Sequence, residues 1–189
     1  MAARLVTAMR SMGLKPGDHV GLISKNCFPW IISDLAIMMG GYVSVPFYPT
    51  LSQDDLEEVI KLSDIKALFV GKLDHWEQQK DAISDELITI AFPQFEGNSP
   101  INSCDYLWED LMSSPICKDP YKPSADEVFT IIYTSGTTGT PKGVMIDYAC
   151  VNEVMKHERE KPAYGVFQGV SERVLSYLPL HHIAERVVS

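Results

Sequence analysis

Short apolar runs alternate with amphipathic stretches along the chain up to about residue 92. The apolar runs are continuous, which is typical of strands buried on both faces of a parallel sheet. The stretches at 2–12 and after Ser52 place apolar residues on one helical face, whereas FPWIISDLAIMM is apolar nearly all round and is predicted to be a buried helix. This alternation predicts an α/β fold, a layered and mostly parallel β-sheet with helices on both faces. The predicted strands are HVGLIS, YVSVPFY, IKALFV and LITIAF, and helices are predicted over residues 2–12, over FPWIISDLAIMM and after Ser52 and Asp74.

Polar residues near the helix starts refine these predictions. Ser52 with Asp55 opens one helix in near capping-box fashion, and Asp74 with Glu77 is predicted to cap the next. Asp34 lies inside an otherwise apolar helix. Because a buried carboxylate needs a partner, we expect Asp34 to find one locally.

A connector divides the rest of the chain. DYLWEDLM is predicted to be a short helix, and residues 113–127 contain three prolines without any periodicity. The strand VFTIIYT, a polar loop, the strand GVMID, a helix from about Tyr148 to Glu160 and the strand ERVLSYLP follow. We therefore predict a first βα group over 1–112, a connector over 113–127 and a strand–loop–strand–helix–strand group over 128–189.

Composition narrows the function classes. With 46% apolar residues among 189, the chain can bury a core, and its net charge of −9 argues against general nucleic-acid binding. The four cysteines lack metal-ligand spacing, so we expect reduced thiols that are buried as small hydrophobes. The N-terminus has no continuous apolar segment typical of a signal peptide. Together these features predict a cytoplasmic protein.

The polar loop YTSGTTGTPKGV is the strongest candidate for chemistry. Its glycines let backbone N–H groups converge on an anion, its hydroxyls add donors and Lys142 adds a full positive charge. The loop therefore predicts a polyphosphate-binding site, and the alternative is a mobile hairpin loop without a ligand. Pro141 before Lys142 and an apolar strand after it exclude a Walker A loop, which needs a following helix. The predicted phosphate-binding residues are Thr134, Ser135, Gly136, Thr137, Thr138, Gly139 and Lys142.

Two adjacent histidines form a second candidate. His181 and His182 should face opposite ways on a strand end, so that one is a site residue and the other a packing residue. The charged stretch at 153–161 is interpreted as the solvated face of a helix.

These motifs resemble a known family. YTSGTTGTPKGV is similar to the phosphate loop of the adenylate-forming (AMP-binding) enzymes, which include acyl-CoA synthetases, luciferases and peptide-synthetase adenylation domains. LSYLPLHHIAERVV resembles the next motif of the long-chain fatty acyl-CoA synthetases. The upstream run from GLKPGDHVGLISKN to the Tyr-Pro-Thr turn resembles the same branch.

The resemblance implies a ligase that uses ATP, Mg²⁺ and coenzyme A. A carboxylate attacks the α-phosphate of ATP to give an acyl-adenylate, and coenzyme A then displaces AMP. Lys142 and His182 would be the catalytic residues, and the loop would hold the β- and γ-phosphates. Ser135 would help to ligate Mg²⁺. His182 and Glu185 would lie on the substrate side, and Arg186 completes the Glu-Arg pair of the long-chain motif.

The chain also departs from the family pattern. Ile146, Asp147 and Tyr148 stand where the family usually has a hydroxyl residue followed by histidine. The downstream Tyr-Gly-x-Thr-Glu motif and C-terminal lysine are not in this sequence, so we expect a fragment of the N-terminal domain that is inactive alone. The partners implied are small molecules, with oligomeric state and peripheral membrane association of the longer enzyme left open. The alternatives are a non-catalytic nucleotide-binding remnant and a ligase for a different carboxylate.

Overall fold

The computed structural model of the chain describes residues 1–134, 140–160, 178–183 and 186, except for the side chains of residues 158 and 159. The strands within these ranges are β1 (His19–Ile23), β2 (Val43–Phe47), β3 (Ile65–Val70), β4 (Ile88–Ala91), β5 (Tyr106–Leu107), β6 (Val128–Thr134) and β7 (Lys142–Asp147). The helices are α1 (Ala2–Ser11), α2 (Phe28–Gly40), α3 (Gln53–Ser63), α4 (Trp76–Gln79), α5 (Trp108–Leu111) and α6 (Tyr148–Glu160).

These strands form a single sheet in the order β5-β4-β3-β1-β2-β6-β7. All neighbours pair in parallel except β6 and β7, which form an antiparallel hairpin. The predicted fold class is confirmed. Because β6 pairs with β2, the sheet continues across the proline-containing connector at 113–127, and the unit boundaries drawn around that connector stay a prediction.

Helices cover both faces of the sheet over two apolar cores. One core lies under α1 and α2 and contains Leu5 and Trp30 with Leu22 of β1. The other lies under α3 and contains Leu56 with Ile23. Leu22 and Ile23 are adjacent in the same strand, and their side chains point to opposite faces because successive strand residues alternate. The continuous apolar runs of the sequence arise from this two-sided burial.

The two predicted helix caps have different outcomes. The Ser52 hydroxyl accepts a hydrogen bond from the Asp55 N–H at 3.2 Å, so that cap is confirmed. The prediction that Asp74 caps the next helix is wrong, since His75 is the residue that precedes α4 and no side chain caps it. The Asp74 carboxylate instead pairs with Lys25 at 2.5 Å, where it gains a full opposite charge.

The segment DYLWEDLM is only partly helical. Tyr106 and Leu107 pair in parallel with β4, and α5 covers only Trp108–Leu111. The open edge of β4 offers main-chain hydrogen bonds that the sequence pattern did not reveal. The Asp105 carboxylate strengthens this junction by accepting from both the Thr89 N–H and the Thr89 hydroxyl at 2.8 Å.

All four cysteines are free thiols, as expected, but they are not uniformly buried. Cys27, Cys104 and Cys117 are half-buried, whereas Cys150 is exposed on α6. Burial raises the pKa of the Cys104 thiol to about 11. None of the helices in the described ranges has the length and apolarity required to cross a bilayer.

Gly21 in the middle of β1 provides a test of the core. A Cβ atom at this position would lie 2.7 Å from Leu68 Cδ1, 2.8 Å from Phe47 Cε2 and 2.9 Å from Ile65 Cδ1. We expect Gly21→Val to lower the free energy of unfolding by about 1–3 kcal/mol, because overpacking forces the neighbours out of their rotamers. Urea denaturation measures this loss, and Gly21→Ala should give a smaller one. A valine variant as stable as the wild type would contradict the packing described for β1.

Candidate active site

The candidate site lies at the carboxyl ends of the parallel strands. In open α/β sheets, ligands bind in the crevice outside the carboxyl ends of the strands. Strand β2 ends at Phe47 and leads into the turn Tyr48–Thr50, and its neighbour β6 ends at Thr134. The predicted phosphate loop therefore starts at the edge that the fold favours for ligands.

The loop is mounted on the β6–β7 hairpin, as the strand–loop–strand pattern predicted. Thr134 pairs with Lys142 and Tyr133 with Gly143 in antiparallel register. The Thr134 hydroxyl reaches the Lys142 carbonyl oxygen at 3.4 Å. Both Thr134 and Lys142 are exposed at the hairpin tip. The hairpin therefore presents the Thr134 hydroxyl before the loop and the Lys142 ammonium group after it.

The remaining loop residues lie outside the described part of the chain. These are Ser135, Gly136, Thr137, Thr138 and Gly139. Their roles as phosphate ligands, and that of Ser135 toward Mg²⁺, stay predictions. In the described residues, no group of three or more His, Cys, Asp or Glu side chains is arranged to hold a metal ion.

Gly143 has a packing role that sequence reasoning did not assign. A Cβ atom at this position would lie 2.9 Å from Ile131 Cγ2 and 3.3 Å from the Tyr133 ring. The glycine of the Pro-Lys-Gly sequence lets β7 approach these two side chains of β6. Lys142 begins β7 directly before this close contact.

A cavity of about 470 Å³ lies beneath the hairpin tip. Its wall includes Tyr48 and Thr50 from the β2 turn, Asp55 from α3, and Tyr133 and Thr134 from β6. Burial raises the pKa of the Tyr133 hydroxyl. The cavity therefore combines aromatic surface with hydroxyl groups directly beside the predicted phosphate loop.

A second cavity, of about 490 Å³, lies across the same turn. Tyr48 and Thr50 line it as well, together with Lys25, Lys72 and His181. The Tyr-Pro-Thr turn thus connects the hairpin to the histidine segment. In the sequence, this turn stands out only as part of the resemblance to the long-chain branch. An aromatic and a hydroxyl residue immediately after a buried strand were the features that could have marked it.

The two histidines have different environments, as expected, but in a turn rather than on a strand end. His181 is only 5% exposed, and its ring centroid lies 4.0 Å from that of Tyr48. Burial, and secondly the neighbouring charge of His182, lower the pKa of His181 to about 4. His182 is exposed, and its N–H donates to the Pro179 carbonyl at 2.8 Å. The predicted strand ERVLSYLP lies outside the described residues up to position 177.

Asp34, whose partner the sequence did not identify, forms a buried ion pair with Arg186 of the Glu-Arg motif. The partner of Asp34 is not only local, contrary to the prediction: its carboxylate accepts from Ser44, and also from Arg186, 152 positions away. Arg186 is therefore a buried structural contact, with a side chain 2% exposed. Glu185, which precedes Arg186 in the Glu-Arg motif, lies outside the described residues.

The arrangement fits a polyphosphate ligand. An exposed ammonium group and an exposed hydroxyl flank the loop at the strand ends, and donors of this kind bind phosphate oxygens. A mostly parallel sheet that ends in an antiparallel hairpin carries this loop. The chain belongs to the AMP-binding enzyme family, whose family model matches residues 1–189.

The curated relatives place the chain within that family. It is 32% identical to long chain acyl-CoA synthetase 4 of Arabidopsis thaliana over 98% of this chain, and 31% identical to fatty acyl-CoA synthetase A of Dictyostelium discoideum over 99% of it. The chain spans 29% of the length of each of these two relatives.

Solved structures support the fold. Coronafacic acid ligase of Pectobacterium brasiliense superposes with a TM-score of 0.74 at 20% identity, covering 99% of this chain and 36% of the ligase. Apo MatB of Rhodopseudomonas palustris gives 0.74 at 18% identity, covering 99% of this chain and 35% of MatB. These likenesses concern the fold alone.

Proposed function

We propose that this chain is the phosphate-binding portion of an AMP-forming acyl-CoA synthetase that activates a long-chain fatty acid with ATP and transfers it to coenzyme A. The β6–β7 hairpin carries the proposal, because it presents Thr134 and Lys142 at the strand ends. The names of the curated relatives support the long-chain acyl substrate. Because the chain spans less than a third of those two relatives, we expect it to be inactive alone.

The proposed chemistry needs electrostatic help at phosphate oxygens. A carboxylate attacks the α-phosphate, pyrophosphate leaves, and the acyl group becomes part of a reactive mixed anhydride. Negative charge stays on phosphate oxygens throughout, so fixed positive charge and hydrogen-bond donors stabilise the transition state. Lys142 supplies the charge and Thr134 a hydroxyl. Mg²⁺, when bound, neutralises further phosphate charge, and Ser135 is the residue proposed to help hold it.

The histidine turn supplies the acyl side in this proposal. His182 is exposed next to His181, whose ring packs on Tyr48 of the shared turn. His182 adjoins His181, which lines the cavity of about 490 Å³, and this neighbourhood supports an acyl-side role for the exposed imidazole. We therefore propose His182, with Glu185, as a contact to the acyl or adenylate group.

Ligand titration on the wild-type chain tests the proposal. We expect Mg·ATP and pyrophosphate to compete for one site, and to shift the backbone amide NMR signals of Thr134, Lys142 and Gly143 at the hairpin. Adenosine should not displace pyrophosphate, because the hairpin binds phosphate rather than the nucleoside. The amide signals of α1, which packs with α2 over one of the two apolar cores, serve as the internal control.

The same titration separates the alternatives. A chain that bound neither Mg·ATP nor pyrophosphate would contradict the proposed phosphate site and favour a remnant that has lost nucleotide binding. Binding with amide shifts confined to α1 or α5 would place the ligand elsewhere and contradict the role of the hairpin.

A further inference from the structure

The segment that carries the two histidines is fixed at its start by Asn26, which follows β1. The Asn26 amide nitrogen donates to the Leu178 carbonyl at 2.7 Å, and its carbonyl oxygen accepts from the Leu180 N–H at 2.9 Å. One side chain therefore binds two main-chain groups on either side of Pro179. Since both bonds involve backbone atoms, they fix the path of the chain as it enters the histidine turn.

The end of the same segment is fixed by Asp34 of α2. Arg186 Nη2 donates to Asp34 Oδ1 at 2.7 Å and to Oδ2 at 2.9 Å, and Nε donates to Oδ2 at 3.2 Å. The two side chains are 2% and 10% exposed. A planar guanidinium held by several parallel bonds has a defined orientation as well as a defined position.

Hydrogen bonds extend this ion pair into the sheet. Arg186 Nη1 donates to the Thr130 hydroxyl at 2.8 Å, and that hydroxyl donates to the Ser44 carbonyl at 2.7 Å. The Ser44 hydroxyl donates to Asp34 Oδ1 at 2.6 Å. Strands β2 and β6 therefore both hold the pair. The Arg186 guanidinium also lies 4.7 Å from the centre of the Phe129 ring, where a cation–π contact is favourable.

We propose that Asn26 and Asp34 are positioning residues that hold the histidine turn against Tyr48 and so set the place of His182. The Arg186 N–H donates to the His182 carbonyl at 3.3 Å, so the buried arginine and the turn are directly connected. The contact of His182 with the acyl or adenylate group rests on the proposed function. The positioning roles of Asn26 and Asp34 do not.

The loss of the Asp34 charge or of the Asn26 amide is expected to release the histidine turn from its position. Without the Asp34 charge, the Arg186 guanidinium is buried without compensation and moves toward water, which carries the turn with it. Without the Asn26 amide, the Leu178 carbonyl and the Leu180 N–H lose their partners and the start of the turn is released.

NMR cross-peaks between the ring protons of Tyr48 and His181 report the position of the turn, because the two centroids are 4.0 Å apart. We expect Asp34→Asn and Asn26→Ala each to abolish these cross-peaks. The amide signals of α1 and α3 should keep the chemical shifts of the folded chain. The matched control is Ser33→Ala in the same helix, which removes the 3.0 Å bond from Trp108 Nε1. This control should lower the melting temperature and keep the cross-peaks.

Retention of the Tyr48–His181 cross-peaks in Asn26→Ala, or in a folded Asp34→Asn variant, would overturn the proposal and leave only a general contribution to stability. Asn26 lies outside the buried ion pair, so its variant decides the matter even if Asp34→Asn does not fold. The measurement needs no ligand. Failure of the chain to bind pyrophosphate would therefore refute the proposed function without affecting this result.

Discussion

Replacing Lys142 by glutamine is expected to weaken pyrophosphate and Mg·ATP binding by roughly 10- to 150-fold, since a hydrogen bond to a charged group contributes about 1.5–3 kcal/mol. The side chain is exposed at the tip of the β6–β7 hairpin, so its loss should not disturb the core. Because strand β7 rather than a helix follows the loop, no helix dipole replaces the missing charge there. Isothermal titration calorimetry at fixed ionic strength measures the change in affinity.

Lys15→Gln is the matched control for this experiment. Lys15 is also exposed and carries the same charge, but it precedes the amino end of β1, whereas the phosphate loop follows the carboxyl end of β6. We expect Lys15→Gln to change affinity little, because exposed charges beyond about 10 Å are screened at moderate salt. Equal losses from the two substitutions would show that only the net charge of the chain matters, and would contradict a specific role for Lys142.

Acidification is expected to destabilise the fold through His181. The ordinary histidine pKa is 6.5, and burial lowers the pKa of His181 to about 4 in the folded chain. Between these values the unfolded chain binds a proton that the folded chain does not, so the free energy of unfolding falls as the pH falls from about 6.5 to 4. One pKa unit corresponds to about 1.4 kcal/mol, so the contribution of His181 is about 3 kcal/mol.

Urea denaturation between pH 7.5 and 4 measures this contribution by comparison with His181→Phe. Phenylalanine keeps an aromatic ring against Tyr48 but cannot be protonated, so we expect the variant to lose about 3 kcal/mol less than the wild type over that range. His182→Gln should retain most of the dependence, because the charge of His182 is the smaller of the two causes. Parallel stability curves for wild type and His181→Phe would rule out a buried neutral His181.

Much of the local structure was predictable because local structure depends on residues close in sequence. The bounds of β6 (Val128–Thr134) and α6 (Tyr148–Glu160) agree with their predicted bounds, since the residues of each segment mark it without reference to distant parts of the chain. The antiparallel hairpin followed from Pro-Lys-Gly before an apolar run, and the cap at Ser52 from its spacing to Asp55. The family followed from an uninterrupted motif and is confirmed.

The sequence by itself thus determined the alternation of strands and helices, the strand–loop–strand arrangement around Lys142 and the family of this protein. Only the tertiary structure decided that β6 lies beside β2, that the turn Tyr48–Thr50 lines both cavities, and that Asp34 pairs with Arg186. The physical reason is that a buried charge requires a partner without specifying which one. Strand order and helix packing bring that partner from a distant part of the chain. The spacing of residues along the sequence does not show which distant residues come into contact.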